Sequence, residues 1–412
     1  MNAGSIRKPW GWWLVAALLA GSASAGPAAA QAPPAPGGAY PATAAGEADV
    51  IHDPNLLLAG CAGCGGLPPA GGFGMAGCGD HCYPGRKPCA TCFDHDTAIG
   101  RLFGGLYECI CCPDPCYEPK WLPVANAAFF VDHARPITHM RLRADWAFDF
   151  QFPDRAEYFW ARERANQVLD NGQPCPRPSN PKGPDCPNGE RSVDYREFNA
   201  YFETAVDRFG LFVEIPYRRV EADLCPCDYS GFADMKVGTK TVLLDCELLL
   251  WSFQFKTYIP IGVATKGLGN SHVSLEPSFL WTVRLSPTTY LEAQAAYWIP
   301  IAADQYYAGD IFHYHTSLNQ LLWEPSPDFQ LVGTWELNGW SVLDGAYTDP
   351  GVLAPGTTRP LAVDARTHML STGVGLRLYV CEKIDFGFGT AFAITDEHFE
   401  DQIYRAEFRW RY

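Results

Sequence analysis

Residues 400–412 read EDQIYRAEFRWRY and alternate between two kinds of side chain. Aromatic or small side chains occupy the even positions from Tyr404 to Tyr412, and charged ones occupy the odd positions from Arg405 to Arg411. Alternate side chains of a β-strand point to opposite faces, so this segment predicts a strand with one aromatic and one charged face. A soluble sheet must cover the aromatic face with a core. A transmembrane barrel instead turns it toward lipid and lines a wet lumen with the charged face.

The same alternation recurs along most of the chain and is clearest at residues 137–152. There Leu142 and Trp146 share an apolar face, whereas Arg141 and Arg143 lie on the other. A soluble core cannot bury such a charged face without pairing its charges. Further alternating segments lie at residues 193–206, 209–220, 231–244, 247–259, 272–283, 288–299, 310–320, 328–338, 366–380 and 383–394. With the first and last segments they make about twelve, an even number as bacterial single-chain barrels require.

The connections between these segments alternate in length. Short joints lie near residues 207–208, 245–246, 286–287, 324–328 and 381–382. Longer ones lie near residues 153–192, 222–230, 260–271, 300–309 and 339–365. Periplasmic turns and outer loops alternate in this way in membrane barrels. We therefore predict an all-β fold, a transmembrane antiparallel up-and-down β-barrel of about twelve strands at residues 132–412. An all-β soluble sandwich is the alternative.

The charged faces of the first and last segments are predicted to line the lumen, because lipid does not accept them. These residues are His139, Arg141, Arg143, Asp145 and Asp149 in the first segment and Arg405, Glu407 and Arg409 in the last.

The amino-terminal residues have the pattern of a secretory signal at residues 1–25. Arg7 and Lys8 precede an apolar run at residues 10–20, and small residues follow up to Ala25, with a second candidate cleavage site at Ala32. The run is too short to span a membrane as a helix. An exported chain without a later apolar run of that kind crosses a membrane only as a closed barrel. Residues 26–60 are rich in Ala, Pro and Gly and predict a flexible linker.

A cysteine-rich segment is predicted at residues 61–120, which hold ten of the sixteen cysteines. Its paired CxxC elements suit zinc or an iron–sulfur cluster, whereas an exported Gly-rich segment favours disulfides. Both interpretations stay open, and no CxxCH element indicates haem, so no cofactor is predicted. The disulfide candidates are Cys61, Cys64, Cys89, Cys92, Cys175 and Cys186.

We expect Cys175 and Cys186 to be linked to each other. The run between them is Pro-rich and polar, and it has no apolar side chain to anchor it. Closing a loop of this size is worth about 3 kcal/mol through the unfolded state. Mass spectrometry of non-reduced peptides should find the pair linked. Free thiols at both positions, or a bound metal, would contradict the prediction.

Residues 231–240 read GFADMKVGTK and residues 258–262 read YIPIG. A G-x-x-D-x-x-x-G-x-K strand followed by a strand that ends in P-x-G resembles a pattern in one outer-membrane channel family. That family is linked to the meta-pathway of phenol degradation and is similar to long-chain fatty acid transporter barrels. The last segment ends in an aromatic residue, Tyr412, and in this it resembles the terminal signature of bacterial outer-membrane barrel proteins. The resemblance covers about residues 132–412 and implies a barrel that passes small, often apolar molecules.

Three functions are weighed on this basis. An outer-membrane channel or transporter is favoured, and a structural or surface-interaction protein anchored by its barrel is the alternative. A lipid-active enzyme would use His313, His315 and Ser317, but this face is the more polar one and is predicted to face the lumen, so we predict no enzyme. The net charge of -15 argues against nucleic acid. The implied partners are outer-membrane lipid, the barrel-assembly machinery and a small-molecule permeant, and the implied location is the cell outer membrane.

Overall fold

The computed structural model describes residues 97–111, 121, 123–155, 191–222, 228–303, 307–353, 360–381 and 383–412. The predicted signal, linker and most of the cysteine-rich segment lie outside these residues. So do all six disulfide candidates, Cys61, Cys64, Cys89, Cys92, Cys175 and Cys186, whose pairing stays a prediction.

The described elements are one α-helix, two short 3-10 helices and fifteen strands. The helices are α1 (Ala98–Cys111) and the 3-10 helices Pro123–Asn126 and Ala264–Lys266. The first strands are β1 (His139–Gln151), β2 (Ser192–Val206), β3 (Phe209–Ala222), β4 (Tyr229–Phe232), β5 (Met235–Asp245), β6 (Leu249–Ile259), β7 (Val273–Ser286) and β8 (Thr289–Ile301). The others are β9 (Ile311–Ser326), β10 (Phe329–Val342), β11 (Ala346–Leu353), β12 (Pro360–Asp364), β13 (Thr367–Val380), β14 (Ile384–Ala393) and β15 (Gln402–Arg411). None of the described helices is long and apolar enough to cross a membrane.

Twelve of the strands form a closed antiparallel barrel, which confirms the predicted fold. The ring runs through β1, β2, β3, β5, β6, β7, β8, β9, β10, β13, β14 and β15. It closes where β1 pairs with β15, with Ala144 opposite Ala406. The predicted segment at residues 231–244 is interrupted, so that β5 pairs with the first half of β3 and β4 with the second half. Among the described strands, β11 and β12 pair with each other alone, and they form a hairpin in the long connection after β10.

The two ends of the barrel differ in their connections. At one end, called the turn end, strands are joined by residues 207–208, 246–248, 287–288, 327–328 and 381–383. The joint after Asp245, which no Gly or Pro marks in the sequence, is one of these. Cys246 in this joint is disulfide-bonded, and α1 lies beside it, because a Cβ at Gly105 would be 3.1 Å from Leu248. The opposite end, called the loop end, carries the longer connections.

The faces of the barrel are inverted relative to a soluble protein. Charged side chains such as Arg377 and Asp385 are completely buried inside the ring, whereas Val374 and Phe388 are 55% and 54% exposed on its outer face. Period-two alternation produces this separation, because each set of side chains meets one environment along the whole strand.

Candidate functional site

A segment that precedes the first strand lies inside the barrel. Residues 121 and 123–138, called the plug segment here, enter and leave at the turn end. The Trp121 indole donates to Asp245 Oδ1 at 3.0 Å, and Arg135 pairs with Asp245 Oδ2 at 2.5 Å. Between these two contacts, Asp132 reaches Lys256 on β6 at 2.6 Å. Both arms of the plug segment therefore meet at one carboxylate, and its tip lies deeper in the lumen.

Two carboxylates inside the ring bind backbone N–H groups of the plug segment. Glu292 on β8 accepts from Ala128 N at 3.0 Å. Glu336 on β10 accepts from Phe129 N at 2.7 Å and from Phe130 N at 2.8 Å. Buried backbone donors require partners, and these carboxylates supply them where no second strand is available.

Three arginines inside the ring bind backbone carbonyl groups of the plug segment. Arg377 on β13 donates to Ala127 O at 3.0 Å and to Ala128 O at 3.3 Å. Arg405 on β15 donates to Phe129 O at 2.6 Å, and Arg409 donates to Asn126 O at 2.7 Å. The barrel thus holds the plug segment through its main chain, with the acceptors on β8 and β10 and the donors on β13 and β15, in one continuous part of the ring.

The Phe129 side chain fills a niche made by glycines of two neighbouring strands. A Cβ added at Gly375 on β13 would lie 2.3 Å from Phe129, and one at Gly387 on β14 would lie 2.7 Å from it. The Arg377 guanidinium lies 4.3 Å from the centre of the same ring, a cation–π distance. These glycines allow an aromatic ring to lie flat against the barrel wall.

Seven of the eight residues predicted to line the lumen have side chains inside the ring. They are His139, Arg141, Asp145, Arg405, Glu407 and Arg409, which are buried, and Arg143, which is half-buried. Arg405 pairs with Asp145 at 2.8 Å, and Arg143 lies 3.0 Å from the same carboxylate. Neighbouring charges of opposite sign thus compensate one another across strands.

Asp149 is placed differently from the other seven. A bulge between Ala147 and Phe150 shifts the register of β1 against β2, and Asp149 has a φ of 53°. Its side chain is about half exposed at the loop end, 3.5 Å from His398. The bulge also turns Phe150 into the interior, although strict alternation from Leu142 predicts that it faces outward.

A chamber of about 230 Å³ lies in the barrel beyond the tip of the plug segment. Its charged lining residues include Arg143, Arg218, Lys236, Lys256 and Glu276. Toward the loop end it is lined by an aromatic cluster, in which the Phe399 ring stacks on Phe150 at 5.6 Å and meets Trp340 edge-on at 5.8 Å between ring centres. Burial raises the pKa of Glu400, which follows Phe399 in the β14–β15 connection.

The glycine–aspartate pattern at residues 231–240 has a structural role at the chamber. Asp234 accepts hydrogen bonds from Gly262 N at 3.0 Å and from Asn270 N at 2.8 Å. These bonds hold the β6–β7 connection inward, so that Leu268 is buried over the chamber. Lys240, at the other end of the pattern, pairs with Glu203 at 3.4 Å.

Ser317 is not arranged as a nucleophile by its described contacts. Its Oγ donates to Asn319 Oδ1 at 2.8 Å, and Asn319 donates in turn to Glu292 at 2.6 Å. A catalytic serine needs a base within hydrogen-bond reach, whereas the ring nitrogens of His315 lie against His313 and Asn338.

One group of described residues has metal-ligand chemistry. Ligand atoms of His133 in the plug segment, His139 and Glu203 lie within 4.8 Å of one another. Glu203, however, already accepts from Tyr201 at 2.7 Å and pairs with Lys240. A buried ammonium group beside the carboxylate disfavours a second cation there, so these residues do not fit a metal ion well.

The sequence-based prediction did not include Glu292, Glu336 and Arg377, although each occupies an inward position of a predicted strand. Each is a polar residue at an alternating position of its segment, which indicates an inward side chain. The lumen residues were predicted from the first and last segments alone. Their contact with the plug segment had no comparable signal.

No protein-family profile and no curated protein sequence matches the chain. Solved structures with a similar fold include an outer-membrane channel from Pseudomonas putida, at 10% identity and a TM-score of 0.43, covering 71% of this chain and 100% of that one. The NanC porin has 6% identity and a TM-score of 0.38, covering 66% and 100%. A Pseudomonas aeruginosa FadL homologue has 8% identity and a TM-score of 0.30, covering 67% and 90%. At these identities the similarity concerns the fold alone.

Proposed function

We propose that the protein is an outer-membrane channel for small molecules that its plug segment holds closed. The inverted faces of the barrel carry this proposal, because an apolar outer face suits lipid and a charged lumen suits water and polar permeants. The export signal predicted at residues 1–25 agrees with a location in the cell outer membrane. Lipid, the barrel-assembly machinery and a small-molecule permeant are the partners that such a location implies.

The proposed route runs from the loop end, past the aromatic cluster, into the chamber. Phe150, Phe399 and Trp340 offer apolar ring surfaces at the mouth, whereas Arg143 and Lys236 offer polar groups below it. A permeant therefore meets apolar surface first and paired charges second. The plug segment closes the remaining path to the turn end, so passage requires its displacement.

Removal of the plug segment is expected to open the channel. Because Trp121 and Arg135 contact the same carboxylate, a short Gly-Ser linker in place of residues 124–134 can join the two arms without straining the barrel. Single-channel recordings in a planar bilayer should show a larger and steadier conductance for this variant than for the full chain. Replacing the outer hairpin at residues 346–364 by the same linker is the control and should change conductance little.

The second candidate function is a membrane anchor, which the filling of the turn-end half of the lumen favours. An anchor needs no path, and its barrel would stay closed. The same recordings separate the two functions. A variant that lacks the plug segment, assembles into the heat-modifiable folded form and still conducts no more than the full chain would favour the anchor and contradict the channel.

A further inference from the structure

Two imidazoles in the chamber wall belong to a continuous chain of hydrogen-bonding groups. His313 Nδ1 lies 3.1 Å from His315 Nε2 on the same strand, β9. His315 Nδ1 lies 3.0 Å from Asn338 Oδ1 on β10. At the other end, His313 Nε2 lies 3.4 Å from Glu276 Oε2 on β7. All four side chains are buried inside the barrel, so water does not readily replace a missing partner.

The orientation of the Asn338 amide fixes how many protons the two imidazoles carry. Because Asn338 Oδ1 faces His315, the Nδ1 of His315 must donate, and a neutral His315 then accepts at Nε2. His313 therefore donates from Nδ1. Its Nε2 faces the Glu276 carboxylate, which is also an acceptor, so a favourable contact requires a proton on this nitrogen too. In this arrangement His313 is an imidazolium between two acceptors.

A second arrangement uses the same atoms with one proton fewer. If the Asn338 amide turns over, its Nδ2 donates to His315 Nδ1, His315 donates from Nε2 to His313, and a neutral His313 donates from Nε2 to Glu276. Among the described residues Asn338 Nδ2 has no hydrogen-bond partner, so the rotation breaks no other bond. The two arrangements differ by one proton and one amide rotation, and both satisfy every link.

We propose that Glu276, His313, His315 and Asn338 form a proton-binding site in the wall of the chamber. Uptake of a proton adds one positive charge to the permeation path and shifts it from cations toward anions. The effect on permeation rests on the proposed channel function, whereas the proton site itself does not.

The surroundings of the imidazoles are consistent with reversible proton uptake. Glu276 also accepts from Tyr258 at 2.5 Å and pairs with Lys256 at 3.0 Å, and Lys256 pairs with Asp132 of the plug segment. Across the neighbouring strands, Ala296 on β8 and Trp340 on β10 stand opposite His313, and Gln294 stands opposite His315. The carboxylate favours the imidazolium and the ammonium opposes it.

The first test measures proton uptake at individual histidines in the full-length protein. Deuterium exchange at the imidazole C2 position, followed by mass spectrometry, reports the midpoint for each ring. The measurement runs from about pH 8 to about pH 5, and the exchange rate of His313 should change across this range. His315→Phe removes one acceptor of the imidazolium and should lower the His313 midpoint by about one pH unit, a tenfold weaker proton affinity. The exposed His368 should be unaffected. An unchanged His313 midpoint in His315→Phe, or a His313 that stays neutral across the range, would overturn the proposal.

The second test measures ion selectivity of the full chain. The reversal potential in a salt gradient should move toward anions between about pH 8 and about pH 5, and His313→Gln should abolish the shift. His368→Gln, the same change at an exposed outer histidine that bonds Ser341, should retain it. A shift that persists in His313→Gln would contradict the link to permeation. If neither the full chain nor the variant without residues 124–134 conducts at either pH, the channel function is contradicted, while the exchange experiment still decides the proton site.

Discussion

Replacing Arg377 by leucine is expected to destabilise the barrel by about 3–5 kcal/mol, the typical effect of removing one partner of a buried ion pair. Arg377 is completely buried and donates to Asp385 at 2.8 Å and to Glu407 at 2.7 Å. Asp385 keeps Arg409 at 2.8 Å. Among the described residues, however, Arg377 is the single cation within ion-pair distance of Glu407, so this buried carboxylate would lose its direct partner.

The urea concentration at which the heat-modifiable folded band disappears measures this effect. The double variant Arg377→Leu with Glu407→Leu should recover part of the lost stability, because it leaves no unpaired carboxylate. Arg377→Leu should also raise the conductance, since Ala127 and Ala128 of the plug segment lose a donor to their carbonyl oxygens. A single variant as stable as the original protein would show that the pair does not matter for stability.

Val374→Arg is expected to cost about 2–4 kcal/mol, the range for an arginine on the lipid face at the middle of a membrane barrel. Val374 lies at the middle of β13 with 55% of its surface exposed, and its neighbour on β10, Trp335, is 50% exposed. Both side chains point away from the lumen. A guanidinium at this position has no counter-charge and must reach along the barrel toward water.

Folding yield into lipid vesicles, read from the heat-modifiable band, measures this second effect. Val374→Leu tests the position without the charge and should fold normally. Val352→Arg introduces the same charge at an exposed site of β11, in the loop-end hairpin, and should also fold normally. Equal folding of Val374→Arg and both controls would mean that this face does not contact lipid.

The strands were predictable from the sequence because each face of a barrel strand has a single environment. The aromatic positions from Tyr404 to Tyr412 and the charged positions between them therefore carry the signal directly. Two departures were not predictable. The positive φ of Asp149 produces a bulge that turns Phe150 inward, and Asp234 interrupts the predicted segment at residues 231–244 because it bonds a connection distant in sequence.

The plug segment was not predictable for a different reason. It has no regular periodicity, and Glu292, Glu336 and Arg409 bind its backbone rather than its side chains. Backbone groups are the same at every residue, so such contacts leave little trace in the sequence of the bound segment. The strands that bind the segment do show charged residues at inward positions in their sequences. Such positions indicate a polar lumen but do not show what the charged groups bind.

The shared contact of Trp121 and Arg135 with Asp245 has a consequence for assembly. The ring closes only when β1 meets β15, more than two hundred residues later in the chain, and the plug segment lies just before β1. A segment that crossed the lumen from end to end would have to be enclosed at that moment or threaded afterwards. Because both arms leave on the same side, this segment is a re-entrant loop that can be inserted after closure. No chain end has to pass through the ring, so the plug segment can be inserted either before or after the ring closes.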